Sequence, residues 1–187
     1  CIDLHLKDGR APKFDETGQR GRILKARSLL NVAVRWAGHK AKIVELGCGA
    51  ADISGPFAEK HDVQRFPSMS FLRERIELVV PHKCDVVILC EILEHVADPL
   101  AIIEKWLPLA GACIIGHPLS APDEDPEEGH CWSFSETDFI QWFEVGGHEL
   151  KHHQIFPMTC YESMALGIGK RRTDGVPTGG SAGPADD

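Results

Sequence analysis

Lys42-Ile43-Val44-Glu45-Leu46-Gly47-Cys48-Gly49-Ala50-Ala51-Asp52 is the stretch on which the fold turns. A β-branched apolar run stops at two glycines flanking one small residue, and an acidic residue follows before a predicted helix. Glycines at that point let the backbone take positive φ and let a ligand approach the main chain. The nearest comparison is the dinucleotide fingerprint G-x-G-x-x-G, read as strand, tight turn and helix N-terminus. Here the sixth position is Asp52. A carboxylate at a helix N-terminus would occupy the place that attracts a pyrophosphate and repel it. A cofactor with positive charge and no phosphate suits Glu45 and Asp52 better.

Outward from this stretch, apolar runs alternate with helical patterns. Residues 84–90 are a short, nearly continuous apolar run, the pattern of a strand buried on both faces. Glu91-Ile92-Leu93-Glu94-His95-Val96 leaves its C-terminal end, and Asp98-Pro99 opens the next helix, Asp98 as cap and Pro99 at the first helical position. Residues 112–116 read as another buried strand ending in His117-Pro118. The acidic run of Asp123, Glu124, Asp125, Glu127 and Glu128 leads to His130, and Ser135 and Asp138 form a capping-box pair at the next helix start. Gly146-Gly147 ends that helix, and residues 148–156 and 160–168 alternate as an antiparallel pair.

On the N-terminal side, Ile23, Leu24, Leu29, Leu30, Val32, Ala33 and Trp36 follow helical spacing, with Gly38 as a stop. Residues 1–22 read as an N-terminal arm or lid, 23–168 as the folded domain, and 169–187 as a disordered tail rich in Gly, Pro, Thr and Ser. A short helix is expected over 53–60, with Pro56 in its permitted first turn. Residues 61–66 suggest a second strand, 71–77 a helical turn or two, and Val79-Val80 the opening of a third strand. That leaves little room for a full strand–helix–strand unit. Either this half of the sheet is abbreviated or a loop is missing from the sequence. The alternation predicts an α/β fold, a mostly parallel sheet with helices on both faces.

With 187 residues the chain is long enough for one domain with a sizeable core. Its 43% apolar and 26% charged content is ordinary for a globular protein. No apolar run approaches a membrane span and the N-terminus lacks a signal-peptide pattern, so the default expectation is a cytoplasmic protein without membrane contact. The formal net charge of −8 argues against a broad nucleic-acid surface, though not against a small nucleotide pocket. The seven cysteines form no C-x-x-C pair, and Cys48, Cys84, Cys90 and Cys113 fall in or beside predicted buried strands. They are expected to be reduced structural thiols.

Three landmarks thus stand in order: V-E-L-G-C-G-A-A-D, C-D-V-V-I-L-C-E-I-L-E-H-V-A-D-P-L, and a strand ending I-I-G-H-P. Together they resemble the class I S-adenosylmethionine-dependent methyltransferase superfamily, over about residues 23–168. S-adenosylmethionine, a sulfonium with an ammonium group, is the kind of cofactor that Asp52 favours. The resemblance implies a Rossmann-like, seven-stranded sheet with one antiparallel strand and cofactor at the C-terminal ends of its first and fourth strands. It implies that Glu45, Gly47, Cys48 and Gly49 line the amino-acid and ribose side, with Cys90 and Glu91 bracketing the methionine part. One departure matters. The family's second strand ends in an acid that holds the ribose hydroxyls, and here Arg65-Phe66-Pro67 stands in that place.

The acceptor expected is a small-molecule or sugar-like hydroxyl, or an amine, entering beneath the N-terminal arm and the 119–134 loop. Methyl transfer is an in-line displacement at carbon, so positioning supplies most of the catalysis. A base is needed only for a hydroxyl or a protonated amine, and His95, Glu91 and His130 are the catalytic candidates. Each feature also has a structural reading: Glu45 as a satisfied buried acid, Glu94 as a cap or ion-pair partner, His95 as a hydrogen-bonded wall histidine. Glu91, Glu94, His95 and a later histidine, His117 or His130, are also the residue types of a divalent-metal site. Small-RNA 3′-end 2′-O-methyltransferases carry E-x-x-E-H and a distant His in an H-x-F-E-W-T-x-x-E-F-like run, and residues 129–139 look similar. Ubiquinone-pathway O-methyltransferases share the E-x-x-E-H part. A divalent ion there would lower the pKa of a hydroxyl. The same histidine run recurs in methyltransferases without metal, where it only starts a helix, so metal is the minor reading. A degenerate methyltransferase fold serving as a binding module is the remaining alternative.

Overall fold

A computed structural model describes residues 16–38, 40–47, 53–54, 63–66, 76, 79–119, 130–158 and 163–173. Cys48, Gly49, Asp52, Pro56, most of the segments 53–60 and 71–77, the acidic run 123–128, residues 1–15 and those beyond 173 lie outside the described residues. The strands are β1 (Ile43–Leu46), β2 (Val63–Phe66), β3 (Cys84–Cys90), β4 (Ala110–Leu119), β5 (His148–Phe156) and β6 (Ser163–Arg171). The helices are α1 (Glu16–Ala37), α2 (Pro99–Trp106) and α3 (Glu136–Val145).

The sheet order is β2-β1-β3-β4-β6-β5. β2, β1, β3 and β4 pair in parallel, while β6 runs antiparallel to both neighbours, β4 and β5. One strand thus opposes the rest, as expected. Six strands are described where the resemblance implied seven. No strand is described at Val79 and Val80: Val79 sits in a bend closed by its amide onto Ile76 O at 3.1 Å, and Val80 is exposed. Pro81 immediately after them has no amide to offer a ladder.

The period-two alternation along the central strands makes two cores. Val86, Ile88, Ala112 and Ile114 pack with Ala26, Leu29, Leu30 and Ala33 of α1 on one face. Val87, Leu89, Cys113 and Ile115 pack with Ile102, Ile103 and Trp106 of α2 and Phe139 and Phe143 of α3 on the other. A sheet covered on both faces needs near-continuous apolar strands, which is why residues 84–90 lack polar alternation. Cys84, Cys90 and Cys113 are free and buried, and Cys131 is free and exposed.

Helix ends follow local chemistry. Asp98 caps α2 by accepting from the Ala101 amide at 3.0 Å, with Pro99 in the first turn. Ser135 and Asp138 close a reciprocal capping box on α3. Two further differences lie at the ends of the domain: α1 begins at Glu16 rather than residue 23, and β6 runs on to Arg171. The buried stripe of α1 is Arg22, Ala26, Leu29, Leu30 and Ala33, whereas Leu24 and Trp36 face outward. Among the described residues no helix is long and apolar enough to cross a membrane.

Candidate active site

β1 and β3 are parallel neighbours, so their C-terminal ends open onto the same edge of the sheet. Each ends in a left-handed residue. Gly47 has φ +70°, and a Cβ placed on it would lie 2.7 Å from Ile92 Cδ1. Only glycine meets both demands without strain. Glu91, just past β3, has φ +52° and is the one non-glycine residue with positive φ among those described. Such a conformation is costly for a side chain and persists where the surroundings enforce it. Here the Glu91 amide donates to Gly116 O of β4 at 2.8 Å, and its carboxylate pairs with Arg22 of α1.

Glu45 is buried on β1, and its two carboxylate oxygens accept from the backbone amides of Ile53 and Ser54, both at 2.8 Å. The carboxylate thereby spans the glycine turn and fixes the far side of it. Cys90 is a buried wall residue on the α1 face of β3. Burial pushes its thiol well above the ordinary range, against a smaller lowering by Arg22, so it stays protonated.

The segment after β3 forms a single 3₁₀ turn, Leu93–His95. Glu94 is fully buried there, and neither carboxylate oxygen has a hydrogen-bond partner among the described residues. Burial raises its pKa from 4.5 to about 8, opposed more weakly by the dipole of its own amide, which lies close without making a hydrogen bond of good geometry, and by Arg22. Residues 130–132 are sewn to this turn: the Cys131 amide donates to Glu94 O at 2.7 Å, and Trp132 Nε1 donates to Val96 O at 2.8 Å. This brings His130 edge-on to His95, ring centroids 4.7 Å apart. One donor atom each from Glu94, His95 and His130 lies within 4.8 Å of the others.

Of the four metal candidates, then, three converge and Glu91 is drawn off by Arg22. His117 does not join them. It is buried against Phe134, Phe139 and Trp142, with Nδ1 2.7 Å from the Pro118 carbonyl oxygen, and burial lowers its pKa from 6.5 to about 4. The carbonyl accepts, so Nδ1 carries the proton and the ring is neutral. On the β2 side, Phe66 pairs in register with Leu46, directly before the glycine turn, and supplies no acid. Arg22 falls in the segment read as an arm. Its position at i relative to Ala26, Leu29, Leu30 and Ala33 at i+4, i+7, i+8 and i+11 places it on the buried stripe of α1.

No family model matches the chain, and no curated protein matches it in sequence. Solved structures do match its architecture. The N-methyltransferase NodS of Bradyrhizobium japonicum WM9, in complex with S-adenosyl-L-homocysteine, is 15% identical over 84% of this chain and 89% of its own, with TM-score 0.65. The magnesium protoporphyrin IX methyltransferase ChlM of Synechocystis PCC 6803, with bound S-adenosylmethionine, is 16% identical over 91% of this chain and 89% of its own, TM-score 0.63. The fold is that of the class I methyltransferases. The 1,6-didemethyltoxoflavin-N1-methyltransferase of Burkholderia thailandensis shares this class I fold at 12% identity over 84% of this chain and 79% of its own, TM-score 0.61. On that fold the Gly47 turn and the Glu91 turn are the two adjacent strand ends where open α/β sheets take ligands.

Proposed function

We propose that the chain is an S-adenosylmethionine-dependent methyltransferase acting on a small-molecule or sugar-like hydroxyl, or an amine. The observation that carries this reading is the pair of left-handed turns, Gly47 and Glu91, ending adjacent parallel strands of this fold. Charge supports it. Glu45 sits at the glycine turn and Arg22 is matched there by Glu91, so the described part of these strand ends offers no excess positive charge for a pyrophosphate. NodS and ChlM, which share the fold, were crystallised with S-adenosyl-L-homocysteine and S-adenosylmethionine.

Glu45, Gly47, Cys90 and Glu91 would hold the cofactor, Glu45 through the turn it fixes, together with Cys48 and Gly49 by sequence. When bound, S-adenosylmethionine supplies a methyl group on a sulfonium, open to displacement by a nucleophile. The chain's own part is to align the acceptor against it and keep water out, which is most of the catalysis in an in-line transfer. His95 and His130 would take the acceptor proton at an imidazole nitrogen, the group suited to that near neutral pH. Glu91, paired with Arg22, would orient rather than accept a proton.

The convergence of Glu94, His95 and His130 favours a second reading, metal-assisted methylation of a sugar hydroxyl such as that at an RNA 3′ end. One carboxylate and two imidazoles suit a divalent ion, and the unpartnered oxygens of Glu94 fit a cation. The net charge of −8 speaks for a small acceptor over RNA. The binding-module alternative rests on the absent acid beside Phe66.

Calorimetry with S-adenosylmethionine and S-adenosylhomocysteine tests the reading, and no heat at millimolar cofactor ends both enzyme hypotheses. Turnover unchanged after chelation ends the metal reading alone.

A further inference from the structure

We infer that Arg22 is a positioning residue for the cofactor pocket and that α1 clamps the two walls of that pocket together, an inference resting on the methyltransferase reading above. Arg22 is 4% exposed and pairs with the carboxylate of Glu91 at the end of β3. Further along the same helix, Arg27 donates from Nε to Ile53 O at 3.4 Å. Ile53 is the residue whose amide is held by Glu45, at the exit of the glycine turn. One helix thus carries a cation to each wall, Arg22 to the β3 wall and Arg27 to the β1 wall.

Neither contact is what docks α1. Ala26, Leu29, Leu30 and Ala33 already bury that helix against Val86, Ile88, Ala112 and Ile114. What Arg22 adds is a restraint on Glu91. The left-handed backbone there has two anchors, its amide on Gly116 O and its carboxylate on Arg22, and losing the second leaves only the first. The direction in which the chain leaves Glu91 sets where Ile92, Glu94 and His95 lie. Ile92 in turn packs over Gly47, so a shift at Glu91 reaches the glycine turn as well. A guanidinium restrains Glu91 with a planar fork fixed in direction, which an ammonium only partly imitates.

The test is calorimetry on the full chain with S-adenosylhomocysteine as probe. Absence of binding by the wild type overturns the methyltransferase reading and this inference with it. If the wild type binds, Arg22→Met should weaken affinity by about tenfold or more, the scale of losing a supporting residue behind a ligand site. Arg22→Lys should recover part of that loss, because it restores the charge. The double variant Arg22→Met with Glu91→Gln carries no uncompensated buried charge and keeps the fold testable. It should melt near the wild-type temperature and bind the probe no more weakly than Glu91→Gln alone, because Arg22 acts through Glu91. Wild-type affinity in Arg22→Met, or losses from Arg22→Met and Glu91→Gln that add in the double variant, overturns the positioning role and leaves the methyltransferase reading standing.

Discussion

Glu45 and Glu94 are equally buried, each 1% exposed, and lie at the C-terminal ends of the neighbouring strands β1 and β3, yet they are wired in opposite ways. Both oxygens of Glu45 are taken by the amides of Ile53 and Ser54. Both oxygens of Glu94 are without a hydrogen-bond partner among the described residues. The contrast separates two uses of a buried carboxylate. A satisfied one is scaffold, because its negative charge is spent on holding backbone donors in place. An unsatisfied one is costly unless a proton, a ligand or an ion completes it. Glu94 answers that cost by taking a proton, with its pKa pushed up to about 8 by burial.

The sharpest way to break the comparison is to delete the scaffold acid. Glu45→Ala leaves two buried amides unpaired and should cost about 3 kcal/mol, given what hydrogen bonds to a charged group contribute. Urea unfolding measures it. A cost near zero would mean that the turn holds itself and that Glu45 differs little from Glu94. Cofactor binding should be lost together with the stability.

Glu94→Gln should do the reverse. Between pH 4.5 and about 8 the unfolded wild type has lost the Glu94 proton while the folded protein keeps it. The folded state therefore binds more protons, and wild-type stability falls as pH rises through that window. The amide variant escapes this, so it should match the wild type near pH 4 and gain on it as pH rises to about 8, by up to about 5 kcal/mol on the linkage of that shift. Turnover should fall even as the melting temperature rises. A difference that does not change with pH would show that Glu94 is as satisfied as Glu45. His117 works with the opposite sign: its pKa falls from 6.5 to about 4, so it remains neutral when folded and weakens the protein as pH drops through that range. In Glu94→Gln this acid-side loss should stand alone and become easier to measure.

How much of this the chain announces depends on the range over which each interaction acts. The strand of residues 84–90 was legible because burial on both faces leaves no polar residue to interrupt the run beyond Asp85. The Asp98 cap and the Ser135–Asp138 box were legible because their partners lie three residues away. The wiring of Glu45 and Glu94 was not. Their letters are identical, and the distinction is made by which backbone amides fold back within reach. Arg22 was hidden for a different reason: a charged residue on an apolar stripe looks like the end of a helix until its partner across the fold, Glu91, is known. The strand expected at Val79 and Val80 was β-branched composition that pairs with no strand among the described residues. Asp52, whose charge argues against a pyrophosphate, lies outside the described residues.

The smallest effect sharpens the comparison most, because it touches one wall only. Trp132 is 43% exposed, but its indole Nε1 is fixed on Val96 O at 2.8 Å. With the Cys131 amide on Glu94 O, this stitch holds His130 beside His95. Trp132→Phe keeps an aromatic ring and removes that donor, so it should cost about 1 kcal/mol, the net value of one such hydrogen bond. The Cys131 stitch remains, and neither Gly47 nor Glu45 is in contact with the change. S-adenosylhomocysteine affinity should therefore hold within about twofold, well under the tenfold that 1.4 kcal/mol represents, while turnover drops as the His95–His130 pair loosens. Loss of both would make the two walls one mechanical unit. Loss of turnover alone separates a wall that builds the pocket from a wall that acts in it, the division already drawn by two equally buried glutamates.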